Sequence, residues 1–215
     1  MNRSLRQIGV LAALVLAVGS MFFGVALGIL NAQTAPPTPA LSSMSWQLDS
    51  VFDKPQRFVM TSAADGRLHV YWVVHYAVTN NTGEDLFFNP IFQLRADNGR
   101  ILEPVMVIDP GLFKQLKTVT GDALIVNPML MPGRLLQGDD NARSSVVLFT
   151  DLPDEARGFD LYVAGLSGET ATQEDPLTNT QVVLRKTLVL NYWLPGQAIN
   201  ISPDPQLVSQ EWVMR

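Results

Sequence analysis

The sequence predicts a mainly β protein, an antiparallel β-sandwich preceded by one N-terminal transmembrane helix or signal segment. Two patterns predict this fold class. Residues 8–30 carry no charged side chain, and after residue 46 apolar and polar residues alternate in short runs separated by Gly, Pro, Asn and Asp. Successive side chains of a strand point to opposite faces, so this alternation is typical of half-buried strands. The 215 residues suffice for one such domain and one membrane segment.

The N-terminal segment predicts export. Residues 1–7 form a basic segment with Arg3 and Arg6, and residues 8–30 would span roughly 35 Å as a helix at about 1.5 Å per residue. That length matches a bilayer and exceeds the usual core of a signal peptide, about 7 to 15 residues, which favours an uncleaved transmembrane anchor. Cleavage near Ala32, which would make the protein secreted, is the alternative. In both cases the positive-inside rule places the following domain outside the cytoplasm, in the periplasm or at the cell surface.

Small residues recur every four positions within the predicted span, at Ser20, Gly24 and Gly28. This spacing places them on one face of a helix, where small side chains allow two backbones to approach closely. The stripe therefore predicts helix packing in the membrane and a homodimer formed through the anchor. The alternative is that these glycines reflect only the general frequency of glycine in transmembrane helices.

Composition separates a spacer from the working domain. Residues 31–45 contain Pro36, Pro37 and Pro39 and no charge, which is typical of an extended polyproline II linker. Residues 46–215 are then predicted as one β-sandwich domain. The chain has 15 basic and 20 acidic residues, and both arginines of the N-terminal segment lie before residue 35, so the exported part carries a net charge of −7. Nucleic acid binding requires a basic face, and we expect none.

Three apolar runs separated by turn residues predict an antiparallel meander. The clearest run is residues 68–79, whose even positions are all apolar or aromatic. Pro90 lies inside the second run, and because proline cannot donate to a ladder, that run is predicted to be an edge strand or to carry a bulge. The sequences NNTG and DNG supply hairpin turns after the first and second runs. The three runs are residues 68–79, 86–94 and 101–108.

The second half of the chain continues the strand pattern. The sequence DPG at 109–111 predicts a break, and residues 112–116 predict a single helical turn, with no longer amphipathic helix. Residues 182–194 form the second long apolar run, which ends at a Pro-Gly pair. The C-terminal stretch is apolar enough to return to the sheet. Further strands are predicted at residues 146–149, 159–163, 182–194 and 207–214.

Three blocks of sequence carry a resemblance to a known family. They are HVYWVVHYAVTNNTGEDLFFNPIFQLRADNGR at 69–100, PGRLLQGDDNARSSVVLF at 132–149 and KTLVLNYWLPG at 186–196. In these blocks the chain resembles bacterial exported immunoglobulin-like domains of unknown function, of the telokin-like type. The resemblance implies an immunoglobulin-like fold and an exported, membrane-anchored location, and it implies no activity.

Motifs for catalysis are missing from the sequence. It contains no G-x-S-x-G elbow, no P-loop and no H-E-x-x-H, and cysteine is absent, which excludes disulfides, thiol nucleophiles and Cys-based zinc sites. We therefore expect no enzyme activity, no catalytic residues and no cofactor.

Only weak metal candidates remain. His69 and His75 lie six residues apart on one predicted strand, roughly 20 Å at about 3.3 Å per residue, so they cannot bind one ion together. They are predicted to be partly exposed on the outer face of the sheet. Met129 and Met131 are predicted on one strand face, where a Met pair with a histidine would hold Cu(I) in an exported protein without cysteine. The alternative is that these methionines fill gaps in the core.

Two functions remain open from the sequence. The first is a non-catalytic, membrane-tethered extracytoplasmic module that binds an envelope protein or serves as a structural subunit. It predicts an exposed apolar patch or a pairable edge strand at residues 86–94. The alternative is an exported ligand-binding or copper-binding carrier domain, which predicts a pocket lined by Met and His side chains.

Overall fold

The computed structural model describes residues 46–61, 66–200 and 204–215. The predicted basic segment (1–7), span (8–30) and spacer (31–45) lie outside the described residues, and so do Ser20, Gly24 and Gly28. Within the described ranges, no helix is both long and apolar enough to cross a bilayer. The described part of the chain is mainly β and its strand pairs are antiparallel, as the sequence predicts.

The elements follow one another in this order. The strands are β1 (Asp49–Phe52), β2 (Gln56–Thr61), β3 (Leu68–Thr79), β4 (Leu86–Phe88), β5 (Ile91–Ala96), β6 (Ile101–Leu102), β7 (Gly133–Leu135), β8 (Arg143–Phe149), β9 (Gly158–Ala164), β10 (Thr170–Glu174), β11 (Gln181–Trp193) and β12 (Gln206–Met214). The α-helix α1 (Pro110–Thr120) lies between β6 and β7, and 3-10 helices cover Pro128–Leu130 and Asp139–Asn141.

The smaller of the two main sheets is built around β3. Strand β8 pairs along one side of β3, and β1 and β2 pair in succession along the other side. A separate two-stranded ladder joins β4 to β7. Because β3 is twelve residues long, it has room for two short partners on the same side. The prediction of a long strand at residues 68–79 is confirmed.

The larger sheet is built around β11, which pairs with β12 on one side and with β9 and then β10 on the other. Strand β5 lies between β9 and β6. The predicted strands at 146–149, 159–163, 182–194 and 207–214 are confirmed, and the C-terminal strand does return to the sheet. The sequence did not predict β10, because its residues TATQE are polar.

The two sheets share one hydrophobic cluster, named here the main core. Trp72 of β3 meets Phe159 of β9 edge-on with ring centroids 5.7 Å apart, and Tyr76 meets Phe92 of β5 at 5.0 Å. Buried side chains from both sheets fill the remainder, including Val74, Leu94, Val147, Phe149, Leu161, Val163, Leu188 and Leu190.

A second cluster, named here the outer cluster, covers the opposite face of the smaller sheet. The apolar side of α1 packs through Leu112 and Leu116 onto this face. Tyr71 and Val73, at odd positions of β3, are buried there, on the same face of the strand as His69 and His75. The other buried members are Ile108, Ile125, Val146 and Leu148.

The helix is longer than the single turn predicted. Asp109 caps it, since its carboxylate accepts hydrogen bonds from the backbone N–H groups of Gly111 (2.9 Å) and Leu112 (3.0 Å). Pro110 occupies the first turn, where its missing N–H is not needed, and Gly121 ends the helix with a φ of 71°. The sequence DPG therefore begins a helix of 11 residues rather than a break.

The predicted meander is wrong. Strand β3 belongs to the smaller sheet, whereas β5 and β6 belong to the larger one. Pro90 does interrupt the second run, but it separates β4 from β5, and β5 is an interior strand rather than an edge. The third run is a strand only at Ile101–Leu102. The strand ends there because Pro104 has no N–H to donate to a ladder. The chain then runs beside β8, where the Val105 N–H donates a single hydrogen bond of 2.7 Å to the Leu148 carbonyl.

Candidate functional site

The two candidate copper ligands point into different surroundings. Met129 lies in the 3-10 helix, where its backbone N–H donates to the Asn127 side chain at 3.0 Å. Its side chain is 57% exposed, whereas Met131 is fully buried in the main core. The prediction that both share a strand face is wrong, because the Pro128 turn replaces the strand. This divergence removes the geometric basis for a Cu(I) pair, and Met131 fills the core instead.

The two candidate histidines also remain apart. His69 stacks on Tyr71 with ring centroids 6.1 Å apart, while His75 lies near the other end of β3. Across the described ranges, no group of three His, Asp or Glu side chains is placed to hold a metal ion. Neither histidine lines the apolar cleft described below.

His75 instead bridges two carboxylates. Its Nδ1 lies 2.7 Å from Oδ2 of Asp53, and its Nε2 lies 3.4 Å from Oδ2 of Asp122. Asp53 follows β1 and Asp122 follows the end of α1, so the imidazole connects the two segments that border the outer cluster. A neutral imidazole has one N–H to donate, whereas an imidazolium donates to both carboxylates. No local pattern in the sequence indicates this cluster, because its members lie far apart in the chain.

Asp122 is the most heavily hydrogen-bonded member of this cluster. Its Oδ2 accepts from the Ser144 hydroxyl at 2.5 Å and its Oδ1 from the Leu124 backbone N–H at 2.7 Å. The pKa of Asp122 lies below its ordinary value of 3.8, chiefly because of the hydrogen bond from Ser144. The hydrogen bond from the Leu124 backbone and the contact with His75 lower it further. The Ser144 hydroxyl donates to the Asp122 carboxylate and not to an imidazole, unlike the serine of a Ser-His-Asp triad, and the lowered pKa of Asp122 makes this carboxylate a weak base. The arrangement holds elements together rather than forming a nucleophilic triad.

The strongest candidate site is an apolar cleft of about 360 Å³ beside β5, named here the proline cleft. It forms where the chain turns at Pro90 between β4 and β5 and where residues 103–106 pass along β8. Proline walls offer no backbone N–H, and this leaves the cleft poor in donors. Its walls include Tyr76, Pro90, Phe92, Pro104, Val105, Pro128 and Pro132.

A close backbone approach fixes one wall of the proline cleft. Gly165 has a φ of 90°, and a Cβ atom there would collide with the carbonyl of Asn89 and touch Pro90. Only glycine allows the loop after β9 to lie against this turn. The position of Pro90 is therefore set by a contact between segments about 75 residues apart in the sequence.

Tyr76 forms part of the inner wall of the proline cleft. Its ring packs between Phe92 (5.0 Å) and Phe52 (5.8 Å), and burial raises its pKa above the ordinary value of 10.0, against a smaller opposing effect of a hydrogen bond with Ser145. The phenol therefore stays neutral. At the rim, Ile91 and Met106 expose about half of their side chains, 49% and 52%. The cleft thus opens onto an apolar surface.

The sequence indicated part of this site. It predicted an apolar patch at residues 86–94, and residues 89–92 do line the proline cleft. It missed the opposite wall, which is formed in part by Pro104, Pro128 and Pro132. No local sequence pattern connects these prolines to Pro90. Comparison of the chain with protein-family models, with curated proteins and with solved structures finds no match.

Proposed function

We propose that the protein is a non-catalytic binding module, held at a membrane by residues 8–30, whose extracytoplasmic domain is an immunoglobulin-like β-sandwich. Its ligand is an extended apolar segment of another envelope protein, which binds in the proline cleft. The observation that carries the proposal is this cleft, an apolar cavity of about 360 Å³ with exposed apolar side chains at its mouth.

The chemistry of the cleft favours a peptide with aliphatic or proline side chains. Cavities of about 300 to 1,000 Å³ are typical of binding sites, and this one is near the lower end, enough for one or two side chains. Walls of proline and aromatic rings suit an extended proline-containing segment, which loses little conformational entropy on binding. The rim residues Ile91 and Met106 would lose exposed apolar surface on binding, which is favourable in water.

Site-specific photocrosslinking in cells tests the cleft. A photoreactive phenylalanine analogue replaces Met106 in the full chain, and the same analogue replaces Leu177, which is 91% exposed at the tip of the β10–β11 hairpin. We expect a discrete adduct with an envelope protein from position 106 and none from position 177. Ile91→Asp combined with the probe at 106 is expected to lower the adduct about tenfold, because a charge at the rim opposes an apolar ligand.

Two results would contradict this proposal. One is equal adduct formation from both positions. The other is an adduct that Ile91→Asp leaves unchanged while circular dichroism shows that the variant is folded. An adduct only with lipid or with a small molecule would assign the cleft to a carrier function instead.

Membrane tethering is tested separately. We expect the full chain to stay in the membrane fraction after alkaline extraction, and external protease to degrade the domain in spheroplasts while a cytoplasmic marker survives. Deletion of residues 8–30 is expected to leave the protein in the cytosol. Release of the full chain by alkali would show that the leader does not anchor it.

A further inference from the structure

A second concave surface lies on the outer face of the larger sheet, away from the main core. It is an open groove of about 780 Å³ and is named here the Trp193 groove. It lies where β5, β9 and β11 run side by side. Its polar and aromatic lining includes Arg95, Asp97, Arg157, Asp160, Asn191 and Trp193.

One row of polar side chains crosses three strands of the groove. Asp160 of β9 is paired in register with Asn191 of β11 on one side and with Arg95 of β5 on the other. The Asp160 carboxylate accepts from Arg95 Nη2 at 2.6 Å and from Asn191 Nδ2 at 2.5 Å. Both carboxylate oxygens are engaged, so Asp160 orients its two neighbours.

Trp193 stands on the next row. It is paired in register with Gly158, which has no side chain to cover the indole ring. Trp193 is 52% exposed, although its neighbour in sequence, Tyr192, is buried in the main core. A large aromatic side chain exposed in an open groove leaves apolar surface in contact with water, which is unfavourable, and offers a flat face for stacking.

Arg157 supplies a charge at the same groove. It is exposed, and none of the ion pairs found among the described residues includes its side chain. Asp97 also lines the groove, but its Oδ2 accepts from the backbone N–H of Arg157 at 2.9 Å, so this carboxylate is engaged with the chain. An exposed guanidinium that forms no ion pair within the described part of the chain is well suited to bind a carboxylate in a bidentate manner.

We propose that the Trp193 groove binds a saccharide that carries a carboxylate. The apolar C–H face of a sugar ring stacks on the indole of Trp193, whose π face is negative. Sugar hydroxyls exchange hydrogen bonds with Asn191 and Arg95, and the carboxylate pairs with Arg157. The volume of the groove lies within the range of small-ligand sites. The site is separate from the proline cleft, which shares none of these side chains.

Binding of defined oligosaccharides to the full chain in detergent tests this site. The acidic probes are tetragalacturonate and the disaccharide of N-acetylglucosamine and N-acetylmuramic acid. The neutral comparisons are cellotetraose and chitobiose, which resemble them in ring number and lack the carboxylate. Saturation-transfer NMR detects which protons of the probe contact the protein, and calorimetry gives the Kd.

We expect at least one acidic probe to bind with a Kd below about 1 mM and at least tenfold tighter than its neutral counterpart. Trp193→Ala and Arg157→Ala are each expected to weaken binding of that probe by about tenfold or more, while Trp193→Phe retains most of the affinity. Arg157→Lys keeps the charge and loses the bidentate geometry, so its affinity is expected to lie between those of the parent chain and Arg157→Ala. The strongest saturation transfer is expected at ring C–H protons, as stacking requires.

Two control variants separate this site from the rest of the molecule. Phe87→Ala removes an aromatic side chain elsewhere, on β4, that is more exposed than Trp193, and Ile91→Asp alters the proline cleft. Both are expected to leave the saccharide affinity unchanged. The inference is overturned if no acidic probe binds, if the neutral probes bind equally well, or if Trp193→Ala binds normally. Each of these results leaves the envelope-protein proposal standing.

Discussion

The main core and the outer cluster lie on opposite faces of the same strand, β3, and they are closed in different ways. In the main core, both faces are strands whose backbones are fixed by ladders, and rings such as Trp72 and Phe159 meet across them. In the outer cluster, one face is the sheet and the other is α1, which forms no ladder with it. The helix is held to the sheet by its apolar side chains and, just after its C-terminal end, by the hydrogen bond from Ser144 of β8 to Asp122.

This difference predicts a difference in cooperativity. Removal of one side chain from the main core weakens both sheets at once, because each sheet needs the other to bury its face. Removal of one side chain from the outer cluster weakens chiefly the attachment of α1. We therefore expect the helix and the Asp122 loop to open locally at a lower free energy than the sheets.

The largest effect is expected from Leu161→Ala. Leu161 is fully buried at the centre of the larger sheet, with Leu94 and Leu190 as register neighbours. The lost burial and the cavity that remains should lower the free energy of unfolding by about 3 kcal/mol, measured by urea denaturation. Amide exchange should accelerate throughout both sheets. Leu177→Ala, the same change at an exposed position, is the control, and an equal loss there would refute the assignment of the core.

A smaller and more local effect is expected from Leu116→Ala. Leu116 is also fully buried, but α1 has solvent on its other side and can shift to close part of the cavity. The expected loss is about 2 kcal/mol, with amide exchange accelerating in α1 before it does in β9 and β11. Gln115→Ala, on the exposed side of the same helix, should change neither quantity. Uniform acceleration across both sheets would show that the two clusters unfold as one.

The smallest effect concerns the Ser144 hydrogen bond to Asp122, and it depends on pH. Because this bond lowers the pKa of Asp122 in the folded state, its contribution is complete above the ordinary value of 3.8 and is lost as the pH falls through the lowered folded pKa. Ser144→Ala should therefore cost about 1 kcal/mol at pH 7, and the difference from the parent chain should shrink below pH 3.8. Urea denaturation from pH 7 to pH 2.5 measures it, with Ser209→Ala on exposed β12 as the control. A difference that stays constant with pH would contradict the role of Asp122.

The alternation of apolar and polar residues predicted those strands that bury one face. Residues 68–79 and 182–194 have enough alternating positions to identify a buried side, and both are strands. The same reasoning missed β1, β2, β7 and β10, which are short or polar and become strands because a longer partner supplies their hydrogen bonds. It also missed the length of α1, because the sequence DPG predicts a break, whereas Asp109 and Pro110 together begin a helix.

The candidate sites depended even more on distant residues. The apolar patch at 86–94 contributes one wall of the proline cleft, whereas Pro104, Pro128 and Pro132 come from later segments. In the sequence, Trp193 is simply the aromatic residue near the end of the apolar run at 182–194. In the structure it is half exposed, and its register partner on β9 is Gly158, which has no side chain to cover it. The Met pair failed for a similar reason, since a capped turn at Asn127 replaced the predicted strand.

By itself, the sequence determined the class of the fold, the positions of the long strands and the expectation of a leader and a spacer before residue 46. These follow from side-chain period, charge and turn chemistry, which act over a few residues. Only the tertiary structure decided that β3 and β5 belong to different sheets, that α1 covers the outer face, and which prolines and which tryptophan line a cavity. Those outcomes depend on which distant surfaces bury one another, and burial is a property of the assembled chain rather than of any local stretch.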